Sequence, residues 1–279
     1  MPFVAEISYS EQEFITAIRD YYRFITALYL DQELVVEPPE GGWPNVTVET
    51  FAPMEKSDAV VSLLQQIPYI RVPYPSSDRF MAAPWCWMAD WDSFCRQLRE
   101  GRDDAEGLKA VTQNLNDIGI EWDLQDEAVP AHVIGLTAGG RNNSTMLLDT
   151  KVGAVYWVGC PGRIAYIGHC SDDPDMINDD IFDYSEDPDN DWRGAPPWPV
   201  ATFFEMLKHQ FTTLQFIPLS SAKVVDVSGL ETFDNSEGLV EMVQSIYREH
   251  GWPDLDRYRK AECIAAVTRA MEERYPLPS

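Results

Sequence analysis

Ten carboxylates crowd residues 172–191 of this 279-residue chain, with no lysine or arginine among them. Closely spaced carboxylates can hold a hard cation, so calcium chemistry is the first possibility to test. Asp187-x-Asp189-x-Asp191 begins like a calcium-binding loop. The pattern then breaks: Trp192 stands at the sixth position, where glycine makes the sharp turn, and Trp198 at the twelfth, where a glutamate binds bidentately. No metal is expected here. Two roles remain for the stretch. It is either a solvated loop held open by like-charge repulsion, or a docking strip whose field steers a basic partner toward it. Tyr184, Trp192 and Trp198 sit in and beside the acids and offer the apolar anchors that a purely electrostatic strip lacks. Asp183, Tyr184, Asp187, Asp189, Asp191, Trp192 and Arg193 are accordingly candidate contacts.

Other reactive residue types are scattered. The four histidines (His132, His169, His209, His250) are far apart in the chain, and Cys160 with His169-Cys170 matches no standard zinc spacing. His132, at the opening of a strand, reads as a structural histidine. No G-x-S-x-G marks a nucleophile, and Cys160-Pro161-Gly162 reads as a turn. Thr137-Ala138-Gly139-Gly140-Arg141 is glycine-rich, but it joins two strands, whereas a phosphate cradle needs a strand, a loop and a helix N-terminus. No cofactor is expected, and no catalytic residue is assigned. Among the carboxylates outside the acidic stretch, Asp149 stands out because it ends an apolar strand. Its expected role is to start the turn Thr150-Lys151-Val152-Gly153 by bonding the backbone ahead of it. Trp43 sits in Glu37-Pro38-Pro39-Glu40-Gly41-Gly42-Trp43-Pro44, a loop too rich in proline for a helix or a central strand. It either binds a ligand from that rigid loop or plugs the core, and buried is the usual state of a tryptophan.

Composition narrows the classes further. There are 46 acidic against 21 basic residues, a net charge of −25. That argues against a phosphate-contacting nucleic-acid binder, which needs a basic footprint, and against docking on an anionic membrane. Nine Trp, 12 Tyr and 12 Phe supply enough apolar area to argue against disorder. No apolar run is long enough to span a bilayer. The N-terminus has no basic and apolar segments of a secretory signal, so a cytoplasmic protein with free thiols is expected.

The elements that must position these residues follow from periodicity. Phe14, Ile15, Ile18, Tyr21, Tyr22, Ile25, Leu28 and Tyr29 recur at helical spacing over 11–30, with Ser10 as N-cap and Glu13 three residues on. Further helices are predicted after Ser57-Asp58, from Asp90 to about residue 98, over about 103–116, over 200–214, over 237–249, and over 253–274 with Pro253 in its first turn. The three tryptophans of residues 84–98 read as core. Residues 132–138, 144–150 and 154–158 are short, β-branched and aromatic, with turn residues between them. They predict a β-meander of hairpins, with 163–168 as a fourth strand. Residues 216–219 and 223–227 suggest another strand pair. The expected fold class is α+β: a central antiparallel or mixed sheet built from the meander (about 132–168), packed by N-terminal and C-terminal helices. One domain is expected over 1–279. Residues 1–127 form its mainly helical part, 128–227 its β core with the acidic loop 171–198, and 228–279 its C-terminal helices.

The segment order resembles the SUKH superfamily, which includes fungal cell-wall-synthesis regulators and bacterial immunity proteins. The residues that carry the resemblance are Gly139-Gly140, Leu148-Asp149, Gly153-Ala154-Val155-Tyr156 and Phe203-Phe204, over about 80 residues. The Pro-Pro-x-Gly-Gly-Trp-Pro loop is also similar to one shared by a large set of fungal proteins. The first 125 residues and the last 60 exceed a minimal SUKH domain. The resemblance implies an α+β fold that binds protein partners, and it brings no catalytic residues. Two defined functions are therefore in play, beside a plain scaffold without a defined small ligand. One is a protein-binding module that recognises a basic protein partner through the acidic, Trp-flanked loop. The other is an enzyme of fungal small-molecule metabolism, which would take a cationic or amino-acid-derived small molecule in an aromatic, carboxylate-containing pocket. Both would draw on a cleft where Trp43, Asp149, Trp157 and Trp192 converge.

Overall fold

The computed structural model describes residues 2–72, 79–113, 129–139, 143–165, 176–177, 191–232 and 236–275. The first helix, α1 (Glu11–Leu28), starts where predicted, with the Ser10 hydroxyl accepting from the Glu13 amide. It buries Phe14, Ile15, Ile18, Tyr21, Tyr22, Ile25 and Leu28. Each such large apolar side chain is worth about 1.5–3 kcal/mol when fully removed from water, which fixes this face against the core. That face meets α7 (Val200–Thr212): Phe14 and Tyr21 pack on Phe204, and Phe24 on Phe211, with ring centroids 5.5–6.2 Å apart.

The centre of the fold is a four-stranded antiparallel sheet of β5 (Val133–Gly135), β6 (Thr145–Asp149), β7 (Ala154–Val158) and β8 (Pro197–Pro199), in that order. The fold is thus α+β, as the spacing predicts. Both faces of the sheet are covered, so every residue of β6 and β7 is buried. Side chains alternate between two apolar clusters with the period of two that a strand imposes. Ile134, Met146, Leu148, Val155 and Trp157 face the main core. Val133, Leu147, Ala154, Tyr156 and Val158 face a smaller cluster closed by Ile177 and Trp192.

The fourth strand differs from expectation. Residues 163–168 do not supply it: Gly162–Ala165 is a short helical turn, α6, and 166–168 lie outside the described residues. Pro197-Trp198-Pro199 supplies it instead, pairing with Tyr156, Val155 and Ala154. Two prolines are tolerated because β8 is an edge strand, where missing amide donors cost little.

Smaller pairs surround the sheet. Strands β1 (Val35–Val36) and β2 (Tyr69–Ile70) are antiparallel, as are β3 (Met81–Ala83) with β4 (Cys86–Trp87) and β9 (Phe216–Pro218) with β10 (Val224–Asp226). The Tyr29 hydroxyl donates to the Met81 carbonyl at 2.6 Å and that of Tyr21 donates to the Ala82 carbonyl, so α1 fixes β3. β4 joins the main sheet through a bridge between Met88 and Thr137.

The remaining helices are α2 (Val48–Phe51), α3 (Asp58–Gln66), α4 (Trp91–Arg99), α5 (Ala105–Thr112), α8 (Val227–Glu231), α9 (Leu239–Glu249) and α10 (Lys260–Arg274). Pro253 does not open the last of them. Residues 251–258 instead form a compact turn that places Trp252 in the core, and α10 begins at Lys260. The Lys260 ammonium donates to the Thr26 and Leu30 carbonyls at 2.7 and 2.6 Å, which ties α10 to the C-terminal end of α1. No helix among the described residues is long and apolar enough to cross a membrane.

Candidate functional site

The site grows from the turn after β6. Asp149 is fully buried, and its Oδ1 accepts from the Lys151 and Val152 amides at 2.8 and 3.1 Å. That is the turn-starting role expected from the sequence. The turn can be this tight because Gly153 takes φ 87, and a Cβ there would stand 2.7 Å from the backbone of Ser8 and Tyr9. The second carboxylate oxygen, Oδ2, has a different partner. Arg193 Nη2 donates to it at 3.1 Å, from a side chain only 10% exposed.

Arg193 is held on all sides. Its Nη1 donates to the Tyr156 hydroxyl at 3.2 Å. Its guanidinium lies 4.7 Å from the ring centre of Trp192 and 5.7 Å from that of Tyr156. Those two rings meet edge to face at 4.9 Å. A cation over an aromatic face gains from the ring quadrupole, the more so when water is excluded. His132, one residue before β5, brings Nε2 to 3.7 Å from Asp149 Oδ1, just beyond hydrogen-bond reach. Burial lowers the pKa of its imidazole. Asp149 opposes that shift, while Lys151, Arg193 and Lys56 reinforce it. Lys56 donates to the Val129 and Pro130 carbonyls at 3.1 and 3.3 Å, and burial, with Lys109 nearby, pushes its pKa down to about 8.

Of the ten candidate residues, the structure therefore brings Asp149, Trp192 and Arg193 together. Trp43 and Trp157 are elsewhere. Trp43 is 6% exposed and plugs the core: its indole donates to the Ile67 carbonyl at 2.8 Å, and its ring packs on Tyr69 and under Arg71. Trp157 faces the opposite side of the sheet, against Phe203 and Phe216. The expected cleft of Trp43, Asp149, Trp157 and Trp192 does not form, because Trp43 and Trp157 pack in separate parts of the main core while Trp192 closes the smaller cluster. Asp183, Tyr184, Asp187 and Asp189 lie outside the described residues. Asp191 opens the turn Asp191–Gly194 that carries Trp192 and Arg193. Trp192 is 1% exposed and Trp198 fully buried, so neither is the exposed anchor expected beside the acids. The second face of the sheet needs a cover, and Trp192 provides it.

Three points hold the chain before, within and after the acidic stretch. At its N-terminal side, Ile164 of α6 is buried and Arg163 donates to the side chain of buried Gln210. Midway, the Ile177 amide donates to the Pro197 carbonyl at 2.9 Å, and its side chain enters the smaller cluster. At the C-terminal side stands the Arg193–Asp149 pair. Tyr156 and Lys56 were not singled out by spacing. Tyr156 reads as an ordinary strand aromatic, and nothing local marks the desolvation of Lys56.

The described residues carry no activated thiol. Burial pushes Cys95 and Cys160 up to about 12 and Cys263 to about 11, and it raises Cys86 as well. No group of three or more His, Cys, Asp or Glu among the described residues is placed to hold a metal ion. An open concavity of about 580 Å³ is lined by Asp31, Gln32 and Glu33, just past the end of α1. It has the carboxylates expected of a site for a cationic molecule, but none of the tryptophans proposed to line one. No protein-family model, no curated protein and no solved structure matches the chain.

Proposed function

We propose that this protein is a SUKH-like binding module that recognises a basic protein partner through its acidic segment. The observation that carries the reading is the stitching of that segment. Ten carboxylates fall between Asp172 and Asp191, and the chain there is held to the sheet at Ile177 and at Arg193. A loop serving solubility alone needs no such attachment. The β5–β8 meander with Leu148-Asp149 and Gly153–Tyr156 at its centre is also the part of the chain that resembles the SUKH superfamily.

A fluorescence-anisotropy titration of a labelled arginine–serine repeat peptide against the purified protein tests this reading. Binding at low ionic strength that weakens as salt rises supports it. No binding at low salt, or binding indifferent to salt, overturns it.

A further inference from the structure

Lys56 and Lys260 are each held by two backbone carbonyls, and they differ in what surrounds them. Lys260 donates to the Thr26 and Leu30 carbonyls, at the C-terminal end of α1. A helix C-terminus carries partial negative charge, and Asp31 also favours the ammonium there. Lys56 donates to the Val129 and Pro130 carbonyls at 3.1 and 3.3 Å, and these belong to a loop. Among the described residues, no carboxylate and no third protein acceptor comes within bonding reach of its Nζ.

The charged groups around Lys56 mostly oppose its own charge. It stands one residue before Ser57, the N-cap of α3, and that end of a helix carries partial positive charge. The Ser57 amide donates to the Ala131 carbonyl at 2.8 Å, which lays this part of the chain against residues 129–131, with His132 next in line. Lys109 of α5 acts against the ammonium, and only Glu55 acts for it. Burial is the largest effect, and the pKa of about 8 leaves about half of these side chains neutral at pH 8, against roughly one in 250 for an ordinary lysine. A neutral amine keeps two N–H donors, one for each carbonyl. Its lone pair then takes a direction in which no protein donor or acceptor competes for it. A desolvated lysine amine of this kind is a nucleophile.

We infer that Lys56 is a modification site whose ε-amine adds carbon dioxide and becomes a carbamate. The nitrogen lone pair attacks the carbon and a C–N bond forms. One C=O electron pair moves onto oxygen, and the proton displaced from nitrogen goes to water, so no oxidant or activated donor is consumed. The product is an anion, and it gains from what opposed the ammonium: Lys109 and the N-terminal end of α3. Carbon dioxide fits the half-buried amine because it is small and uncharged. Acyl phosphates are anions, which a chain of net charge −25 repels. The site is independent of the function proposed above.

The test exposes the full chain to isotopically labelled carbon dioxide at about pH 8, where the amine is half neutral. Triethyloxonium ion then converts any carbamate to a stable ethyl ester, and peptide mass spectrometry maps it. Lys260, with the same two-carbonyl hold at a helix C-terminus, is the matched control. Label at Lys56 is expected to exceed that at Lys260 by about tenfold or more. Lys56→Arg, which keeps a positive charge but has no amine, is expected to lose that labelled peptide and no other. No label at Lys56, or equal label at the two lysines, overturns the inference. Selective modification of Lys56 by acetic anhydride with no label from carbon dioxide overturns it too, since the amine would then be reactive without forming a carbamate.

Discussion

Replacing Asp149 by alanine strips acceptors from three donors at once: the amides of Lys151 and Val152, and Nη2 of Arg193. The guanidinium stays buried against Trp192 and Tyr156 and loses the carboxylate of Asp149. Breaking a buried ion pair by removing one member costs about 3–5 kcal/mol, most of it the penalty of the charge left behind. The turn amides lie nearer the surface, where water replaces part of what they lose, so the sum for Asp149→Ala stays at about 3–5 kcal/mol. Asp149→Asn keeps an acceptor for the turn and loses only the charge, for a cost of about 1–3 kcal/mol. Arg193→Met keeps much of the stem packing on Trp192 and leaves Asp149 its two amide donors, so about 2–3 kcal/mol is expected. The double variant Asp149→Ala/Arg193→Met should cost less than the sum of the single changes by about 1–3 kcal/mol, since both members of the pair are removed together. Urea unfolding at neutral pH, with equal m-values across the set, gives all four numbers. A loss below about 1 kcal/mol for Asp149→Ala, or strict additivity in the cycle, would refute the clamp.

Three further outcomes are expected. The imidazole of His132 titrates below its ordinary value of 6.5 in the folded chain, chiefly because of burial. The unfolded chain therefore takes up that proton first, and stability falls as pH drops through 6.5 toward the lower folded value. His132→Gln should remove that part of the acid-side loss in unfolding curves at successive pH values. With Cys95 and Cys160 near 12, Cys263 near 11 and Cys86 raised as well, their thiolate fractions at pH 8 are on the order of one in a thousand or less. A colorimetric thiol assay should leave these four unreacted in the native protein and count them all in denaturant. Gly135→Ala should destabilise the protein by about 2 kcal/mol or more, because the added Cβ would fall 1.9 Å from the Thr112 carbonyl oxygen and must displace the end of α5. An unchanged urea midpoint for that variant would contradict the close approach of α5 to β5.

Much of the fold can be read locally, and the residues show why. The spacing of Phe14, Ile18, Tyr21, Tyr22 and Ile25 is a helix signal that needs no tertiary context. The β6–β7 hairpin announces itself through β-branched runs and a glycine turn, and Asp149 through its place at the end of one run. What could not be read is pairing over distance. Arg193 meets Asp149 across 44 residues, and no local pattern encodes that ion pair. Trp192 follows a run of acids and looks solvent-bound, yet the second face of the sheet draws it in. Pro197-Trp198-Pro199 looks like loop because proline opposes strands, and only an unfilled sheet edge makes a strand of it. Trp85 stands among the aromatics of residues 84–98, whose local pattern reads as core throughout. Of these, Trp91 is buried, Trp87 partly so, and Trp85 exposed, because a hairpin turn intervenes.

The proposed recognition rests on the acidic segment and not on the overall negative charge. Two variants of equal net charge separate these. One neutralises Asp172, Asp173, Asp175, Asp179, Asp180 and Asp183 to asparagine. The other neutralises the exposed Glu231, Glu237, Glu241, Glu249, Glu272 and Glu273 of the C-terminal part to glutamine. Affinity for the arginine–serine peptide, measured across a salt series, decides between them. The first variant should lose about tenfold or more in affinity and most of its salt dependence, while the second should stay within about threefold of the wild type. Equal losses in the two variants would contradict a localised docking strip.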